Sequence, residues 1–117
     1  MRFKARSRGP RREPGVMNSL EKSYSSHLDL RKAAGEIADW KFEGIKLRLA
    51  KNTFYTPDFF VLLADGTIQV EEVKGHWEDD ARVKIKVAAE IYWWFRFIAV
   101  KAIPKKEGGG WKIEMFD

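Results

Sequence analysis

Asp58, Glu72 and Lys74 have the residue types and spacing that a metal-dependent hydrolytic centre needs. Glu72 and Lys74 are two residues apart, so on a β-strand their side chains point to the same face. Asp58 opens the preceding apolar run, which we expect to pair with the strand of Glu72. Two carboxylates held close together repel each other, and Mg²⁺ relieves that repulsion, with Mn²⁺ as a substitute. Such a metal polarises a phosphodiester and generates hydroxide, while the lysine orients water or stabilises charge on phosphorus.

The same residues also have a purely structural interpretation. Glu72 and Lys74 can form a solvated ion pair, and Asp58 can be an ordinary strand-start residue after Pro57. The context favours catalysis, because Pro57-Asp58 opens one strand, Glu72-Val73-Lys74-Gly75 ends the next, and a helix follows. The strand register stays open at this stage.

The elements that must position these residues predict an α/β domain over residues 18–117, in the order α-β-β-β-α-β-β. Hydrophobic periodicity predicts helices over Asn18–Ala34 and Asp79–Trp93, and Asp65-Gly66 predicts a hairpin turn. The second helix lies between two strands, which indicates a right-handed parallel crossover and hence a mixed sheet flanked by helices. We expect strands over Gly44–Ala50, Tyr55–Leu63, Thr67–Lys74, Phe95–Ile103 and Trp111–Phe116.

The net charge of +5 is concentrated in residues 1–17, which hold six basic residues and one acidic residue. Gly and Pro residues interrupt this stretch, so we expect a flexible arm. Its natural partner is a polyanion, with nucleic acid first, although a solubilising tail or an expression remnant would look the same. The basic residues are Arg2, Lys4, Arg6, Arg8, Arg11 and Arg12.

The rest of the composition narrows the class of protein. There are no cysteines, which excludes disulfides and thiolate zinc sites. The apolar runs are too short to span a bilayer, and the N-terminus has no apolar signal core. We therefore expect a cytoplasmic protein with no membrane partner, located in a bacterial host cell if the protein is phage-encoded. A domain of this size often completes its buried surface by oligomerising.

Three segments together resemble the bacteriophage endonuclease I family of Holliday-junction resolvases, in the PD-(D/E)XK nuclease superfamily. The resemblance covers about residues 16–86, and small phage nucleases and the endonuclease subunit of some transposases have similar cores. The segments are Ser19-Leu20-Glu21, Tyr55-Thr56-Pro57-Asp58-Phe59 and Glu72-Val73-Lys74-Gly75-His76-Trp77-Glu78-Asp79-Asp80-Ala81-Arg82.

The resemblance implies a restriction-endonuclease-like fold and an active homodimer that acts in DNA recombination. It implies that Asp58, Glu72 and the carbonyl of Val73 bind metal, that Lys74 is the catalytic lysine, and that Glu21 is a further carboxylate near a second metal. A dimer suits a four-way junction, because two cuts on strands related by a two-fold axis need two centres. Exchange of elements between subunits and preference for branched DNA are left open.

Two of the site candidates have strong structural alternatives. Glu21 lies three residues after Asn18, so it can reach back to the Asn18 amide as part of a capping box instead of binding metal. His76 follows the catalytic strand and can act as a general acid or contact phosphate, but a loop histidine is more often an ordinary surface residue.

Residues of the second helix are candidates for gripping DNA phosphates beside the cut. Arg82 and Lys86 are one helical turn apart and Lys84 lies between them, although a solvated helix face has the same pattern. Tyr92 to Phe95 form an aromatic cluster, for which a core or dimer role is favoured over base stacking.

These observations predict a Mg²⁺-dependent, structure-selective DNA endonuclease of the Holliday-junction resolvase type. The first alternative is a nickase or transposase-type endonuclease that acts on linear duplex DNA. The second is a DNA-binding module that has the fold but performs no chemistry.

Overall fold

The computed structural model of the chain describes residues 15–75 and 79–116. Over these residues the chain forms a five-stranded mixed sheet, a separate two-stranded sheet and two α-helices. In chain order the elements are α1 (Ser19–Ala33), β1 (Ile37–Phe42), β2 (Leu47–Ala50), β3 (Thr53–Tyr55), β4 (Phe59–Leu63), β5 (Ile68–Lys74), α2 (Asp79–Ile91), β6 (Arg96–Ala102), a 3₁₀ turn (Lys105–Glu107) and β7 (Trp111–Phe116).

The main sheet has the strand order β1-β4-β5-β6-β7. β5 and β6 are parallel and joined through α2, as the sequence predicts, whereas the other neighbouring pairs are antiparallel. The β4–β5 hairpin turns at Asp65-Gly66, where Gly66 has a φ of 91° that a side chain would strain. The architecture is therefore α/β with a mixed sheet. No helix of the described residues is long and apolar enough to cross a membrane.

Helix α1 covers one face of the sheet. It begins with a capping box, in which the Asn18 side chain accepts from the Glu21 amide at 2.8 Å and the Glu21 carboxylate accepts from the Asn18 amide at 2.9 Å. It ends before Gly35, whose φ of 80° suits a helix terminus. Met17, placed by the sequence at the end of the arm, packs against this core. The core residues are Tyr24, Leu28, Ile37, Phe59, Val61, Val73, Ile98 and Val100.

Helix α2 and the β2–β3 hairpin cover the opposite face. Ile85, Ala88 and Ala89 of α2 pack with Leu47 and Tyr55 of the hairpin over the sheet. The Tyr92 hydroxyl donates to the carbonyl of Arg48 at 2.7 Å, which ties the end of α2 to the hairpin. The sheet contributes Val70, Phe97, Ala99 and Phe116 to this second core.

Two strand predictions need correction. Strand β1 was not predicted, because a bulge between Ile37 and Asp39 breaks its period-two pattern and its apolar side chains do not alternate regularly. The strand predicted over Tyr55–Leu63 is two strands, because Pro57 has no N–H to contribute to a ladder. The observed order is thus α-β-β-β-β-β-α-β-β, and the other predicted elements agree within about three residues at each end.

Candidate active site

Asp58 and Glu72 lie directly opposite each other where β4 begins and β5 ends. Phe59 pairs with Glu71 across the antiparallel ladder, so the next facing pair is Asp58 and Glu72. Both side chains are more than nine-tenths buried, with relative exposures of 7% and 6%. The structure therefore brings together two carboxylates whose strand register could not be fixed from the sequence.

Backbone amides hold the two carboxylates in place. Beyond Pro57 the Asp58 amide donates to the Glu72 carboxylate at 3.1 Å instead of joining a regular ladder. In return, the Val73 amide donates to the Asp58 carboxylate at 2.9 Å. Each carboxylate is thus held by a backbone amide of the other strand.

Lys74 and Tyr55 complete the immediate surroundings of Glu72. The Lys74 ammonium lies 3.0 Å from one Glu72 oxygen, and the Tyr55 hydroxyl donates to the other at 2.7 Å. Tyr55 opens the segment Tyr55-Thr56-Pro57-Asp58-Phe59, but no role was predicted for its hydroxyl. The available signal is that a buried tyrosine hydroxyl normally requires a hydrogen-bond partner.

The electrostatics of this cluster are dominated by burial and by like charges. Burial raises the pKa of Asp58 well above its usual range, and the neighbouring Glu72 carboxylate raises it further. The hydrogen bond from the Val73 amide lowers this pKa but does not outweigh the other two effects. Burial lowers the pKa of Lys74, but the Glu72 and Asp58 carboxylates outweigh burial and leave that pKa raised. Burial, followed by Glu72, also raises the pKa of Tyr55, which keeps its hydroxyl a donor. The charged pair of acids is therefore strained, and a divalent cation would relieve that strain.

The cluster forms the floor of an open cleft with a volume of about 620 Å³. Glu21 lines this cleft while it also caps α1, so both predicted interpretations of Glu21 fit one location. Glu43, which sequence analysis did not identify, lines the cleft as well, and its amide donates to the Asp58 carbonyl at 2.8 Å. Charged side chains on the other walls are Lys46, Asp80 and Lys84.

The predicted DNA-contacting residues have different surroundings. Of the three α2 residues, Lys84 lines the acidic cleft. Arg82 instead makes a two-pronged ion pair with Glu114 on β7, which occupies its guanidinium, and Lys86 borders a separate surface pocket beside it. His76 and the basic residues of the arm, Arg2, Lys4, Arg6, Arg8, Arg11 and Arg12, lie outside the described residues.

The aromatic cluster that follows α2 is divided between core and surface. Tyr92 and Phe95 pack against the core on the α2 face. Trp93 and Trp94 are exposed, with relative exposures of 76% and 56%. The core interpretation therefore holds for two of the four residues.

The donor set suits a cation whose remaining ligands come from elsewhere. In the described part of the chain, no three acidic or histidine side chains are grouped as a ready-made metal cage. Two carboxylates from adjacent strands are nevertheless the typical protein contribution to Mg²⁺, which keeps several waters and takes substrate phosphate oxygens. Glu72 already accepts from Tyr55 and Lys74, so Asp58 has the greater capacity for a further partner.

Comparisons of the chain with protein-family models, with curated proteins and with solved structures found no match.

Proposed function

We propose that this protein is a divalent-metal-dependent DNA endonuclease with a restriction-endonuclease-like core. The observation that carries the proposal is the meeting of Asp58 and Glu72, from adjacent strands, with the Lys74 ammonium 3.0 Å from Glu72 in an open cleft. Ion pairs on protein surfaces are common, but the Lys74–Glu72 pair is largely buried, and the Asp58 carboxylate lies beside it. Such an arrangement costs stability unless a ligand of opposite charge compensates it.

Asp58 and Glu72 would hold the metal, with the Val73 carbonyl as a further candidate and Glu21 on the cleft wall. Bound there, Mg²⁺ or Mn²⁺ would polarise the phosphodiester and lower the pKa of an attacking water. Lys74 would orient that water and stabilise negative charge on the phosphorus centre. Tyr55 would hold the Glu72 carboxylate in place through its hydrogen bond.

DNA is the substrate that the charge distribution favours. The excess positive charge of the chain lies in residues 1–17, and Lys46 and Lys84 stand on the cleft walls. Basic side chains around an acidic, metal-binding floor attract the backbone of a polyanion while the floor performs chemistry on it. Within this class we propose a structure-selective enzyme of the Holliday-junction resolvase type, which acts as a homodimer because two symmetric cuts need two centres.

The chemistry is tested by incubating the protein with a labelled four-way junction and Mg²⁺, using variants of the centre and matched exposed controls. Asp58→Asn and Lys74→Ala should abolish cleavage, while DNA binding in Ca²⁺ persists. The controls are Asp39→Asn and Lys32→Ala, which alter an exposed acid–amine pair 3.2 Å apart and should leave cleavage unchanged. Full cleavage by both variants of the centre would mean that the active site has been misassigned.

The same experiment separates the finer alternatives. Cuts placed symmetrically across the branch support a resolvase, and a preference over matched duplex of at least about tenfold, or 1.4 kcal/mol, is expected. Equal cutting of junction and duplex would favour the nickase or transposase-type alternative. DNA binding without cleavage, together with no Mn²⁺ binding in calorimetry, would favour a non-catalytic binding module.

A further inference from the structure

Three lysines form a row across three neighbouring strands beside the cleft. Lys74 of β5 pairs in register with Lys101 of β6, and Lys101 pairs with Lys112 of β7. Residues in register on adjacent strands point to the same face, so the three side chains share the face that α2 covers. All three border a groove of about 200 Å³ at the end of the sheet.

The row is the last of three layers that can be followed along this face. Val70, Phe97 and Phe116 form an apolar layer in the core. The next layer toward the sheet end places Glu72 and Glu114 on either side of the small residue Ala99. On β5 and β7 the face thus changes from apolar to acidic to basic over five residues, and the lysines form its rim.

Like charges directly opposite each other on adjacent strands destabilise a sheet, so the row has a cost. Within the described residues neither Lys101 nor Lys112 has an ion-pair partner, and both are exposed. The single described carboxylate of the groove, Glu114, is already bound by Arg82. The groove therefore has an excess of positive charge that a polyanion would neutralise.

The groove is continuous with the candidate active site through Lys74, which lines both. Neighbouring strands lie about 4.8 Å apart, so the backbone positions of the row span about 10 Å. A strand of duplex DNA has one phosphate for about every 3.4 Å of helix axis, which corresponds to two or three phosphates over that length.

We infer that Lys101 and Lys112 form a phosphate-binding track for the substrate strand, leading away from the bond that is cut. The inference rests on the proposed nuclease function for the identity of the strand, because the cleft at Asp58 and Glu72 defines where the cut phosphate lies. Phosphates flanking that position lie along the row, while Lys74 serves the centre. The track positions substrate by charge and shape, so it contributes affinity without base specificity.

The test is the double variant Lys101→Gln/Lys112→Gln in the full chain, compared with Lys32→Gln/Arg96→Gln. The control removes the same charge at the end of α1 and at the start of β6, which is the opposite end of that strand from Lys101. DNA binding is measured in Ca²⁺ over a range of salt concentrations, with a four-way junction, a duplex and inorganic phosphate as competitors. Single-turnover cleavage at saturating DNA is measured in Mg²⁺.

The track predicts that the double variant binds DNA about tenfold more weakly near physiological salt. The slope of log affinity against log salt concentration should become shallower by about 2, since each lost phosphate contact removes ~0.9 from it. Cleavage at saturating DNA stays within about threefold of wild type, because the centre is untouched. The control keeps the wild-type slope, and inorganic phosphate at the same phosphate concentration competes far less well than DNA.

A salt slope and affinity equal to wild type in Lys101→Gln/Lys112→Gln would overturn the track, as would equal weakening by the control. Free phosphate competing as well as DNA would overturn it in favour of a small-anion site. A wild-type protein that binds DNA through the row but cuts nothing would overturn the proposed nuclease function alone. These outcomes keep the two proposals distinguishable.

Discussion

Glu71 and Glu72 are neighbours on β5, but their side chains point to opposite faces of the sheet and enter different surroundings. Glu71 is fully buried under α1, where it accepts from the Tyr24 hydroxyl at 2.5 Å, from Arg31 at 2.9 Å and from Gln69 at 2.7 Å. Glu72 lies in the cleft, where a second carboxylate, Asp58, is packed against it and where Lys74 is the one cation among the described residues that is within contact distance.

The two glutamates differ in how their surroundings compensate their charge. The carboxylate of Glu71 has donors on both oxygens and a guanidinium for its charge, so its burial is compensated. The Asp58–Glu72 pair lines an open cleft, and among the described residues the Lys74 ammonium balances only part of its charge. Buried acids that the fold itself does not neutralise mark the place where a ligand supplies the missing charge.

The largest expected effect concerns Glu72→Gln. Glutamine keeps the shape of the side chain and can still accept from Tyr55, but it removes the negative charge that is proposed to bind the metal. Single-turnover cleavage should fall about a thousandfold, or ~4 kcal/mol of barrier, with a change in unfolding free energy below about 1 kcal/mol. The matched variant Glu71→Gln should cut at close to the wild-type rate under conditions where it is folded. Equal losses of activity in the two variants would erase the distinction between the two faces.

Glu71→Gln should instead be the more destabilising variant, by about 3 kcal/mol in urea unfolding. It leaves the Arg31 guanidinium, 17% exposed, without its buried counter-charge. The double variant Arg31→Met/Glu71→Gln tests the cause, because a shared ion pair predicts that the two losses are less than additive. Strict additivity would show that Glu71 stabilises the fold through other contacts.

Tyr24→Phe should cost about 1–2 kcal/mol at neutral pH, because it removes a hydrogen bond to a buried carboxylate. Burial, and then the Glu71 carboxylate, raise the pKa of Tyr24 far above its usual value of 10.0. The folded chain therefore keeps this proton while the unfolded chain loses it, so wild-type stability falls as pH rises above 10. Urea unfolding from pH 8 to 11 should show the gap between wild type and variant narrowing. A constant gap would contradict the assigned environment of Tyr24.

The placement of Glu71 and Glu72 on opposite faces of the sheet could be predicted from the sequence. The alternation of β5 places Glu72 and Lys74 on one face and Glu71 on the other, and the Asp65-Gly66 turn brings Asp58 back toward them. The helix period of α1 and its capping box were likewise predictable, because these patterns depend on local geometry alone. Asp58, Glu72 and Lys74 could be grouped from the sequence because they lie on one hairpin.

Features that depend on contacts between residues far apart in the sequence could not be predicted. The partner of Glu71 is Arg31, forty residues away on another element. The lysine row requires the registers of β5, β6 and β7 together, and no local pattern fixes a register between strands separated by a helix or a loop. The strand β1 was hidden by its bulge. In each case tertiary contacts, not local periodicity, determine the arrangement.

Asp58→Asn has a small expected effect on stability, with a sign opposite to the effects of Glu71→Gln and Tyr24→Phe. Burial and the facing Glu72 disfavour the charged carboxylate, so the neutral amide should stabilise the metal-free protein by about 1 kcal/mol in urea while abolishing cleavage. The exposed control Asp39→Asn should give no gain, because Lys32 partners that carboxylate at 3.2 Å. Mg²⁺ should raise the unfolding midpoint of wild type and not that of Asp58→Asn, since a ligand stabilises only a state that binds it. Destabilisation by the variant, or equal stabilisation of both proteins by Mg²⁺, would show that Asp58 is a compensated structural acid like Glu71. The proposed metal site in the cleft would then be wrong.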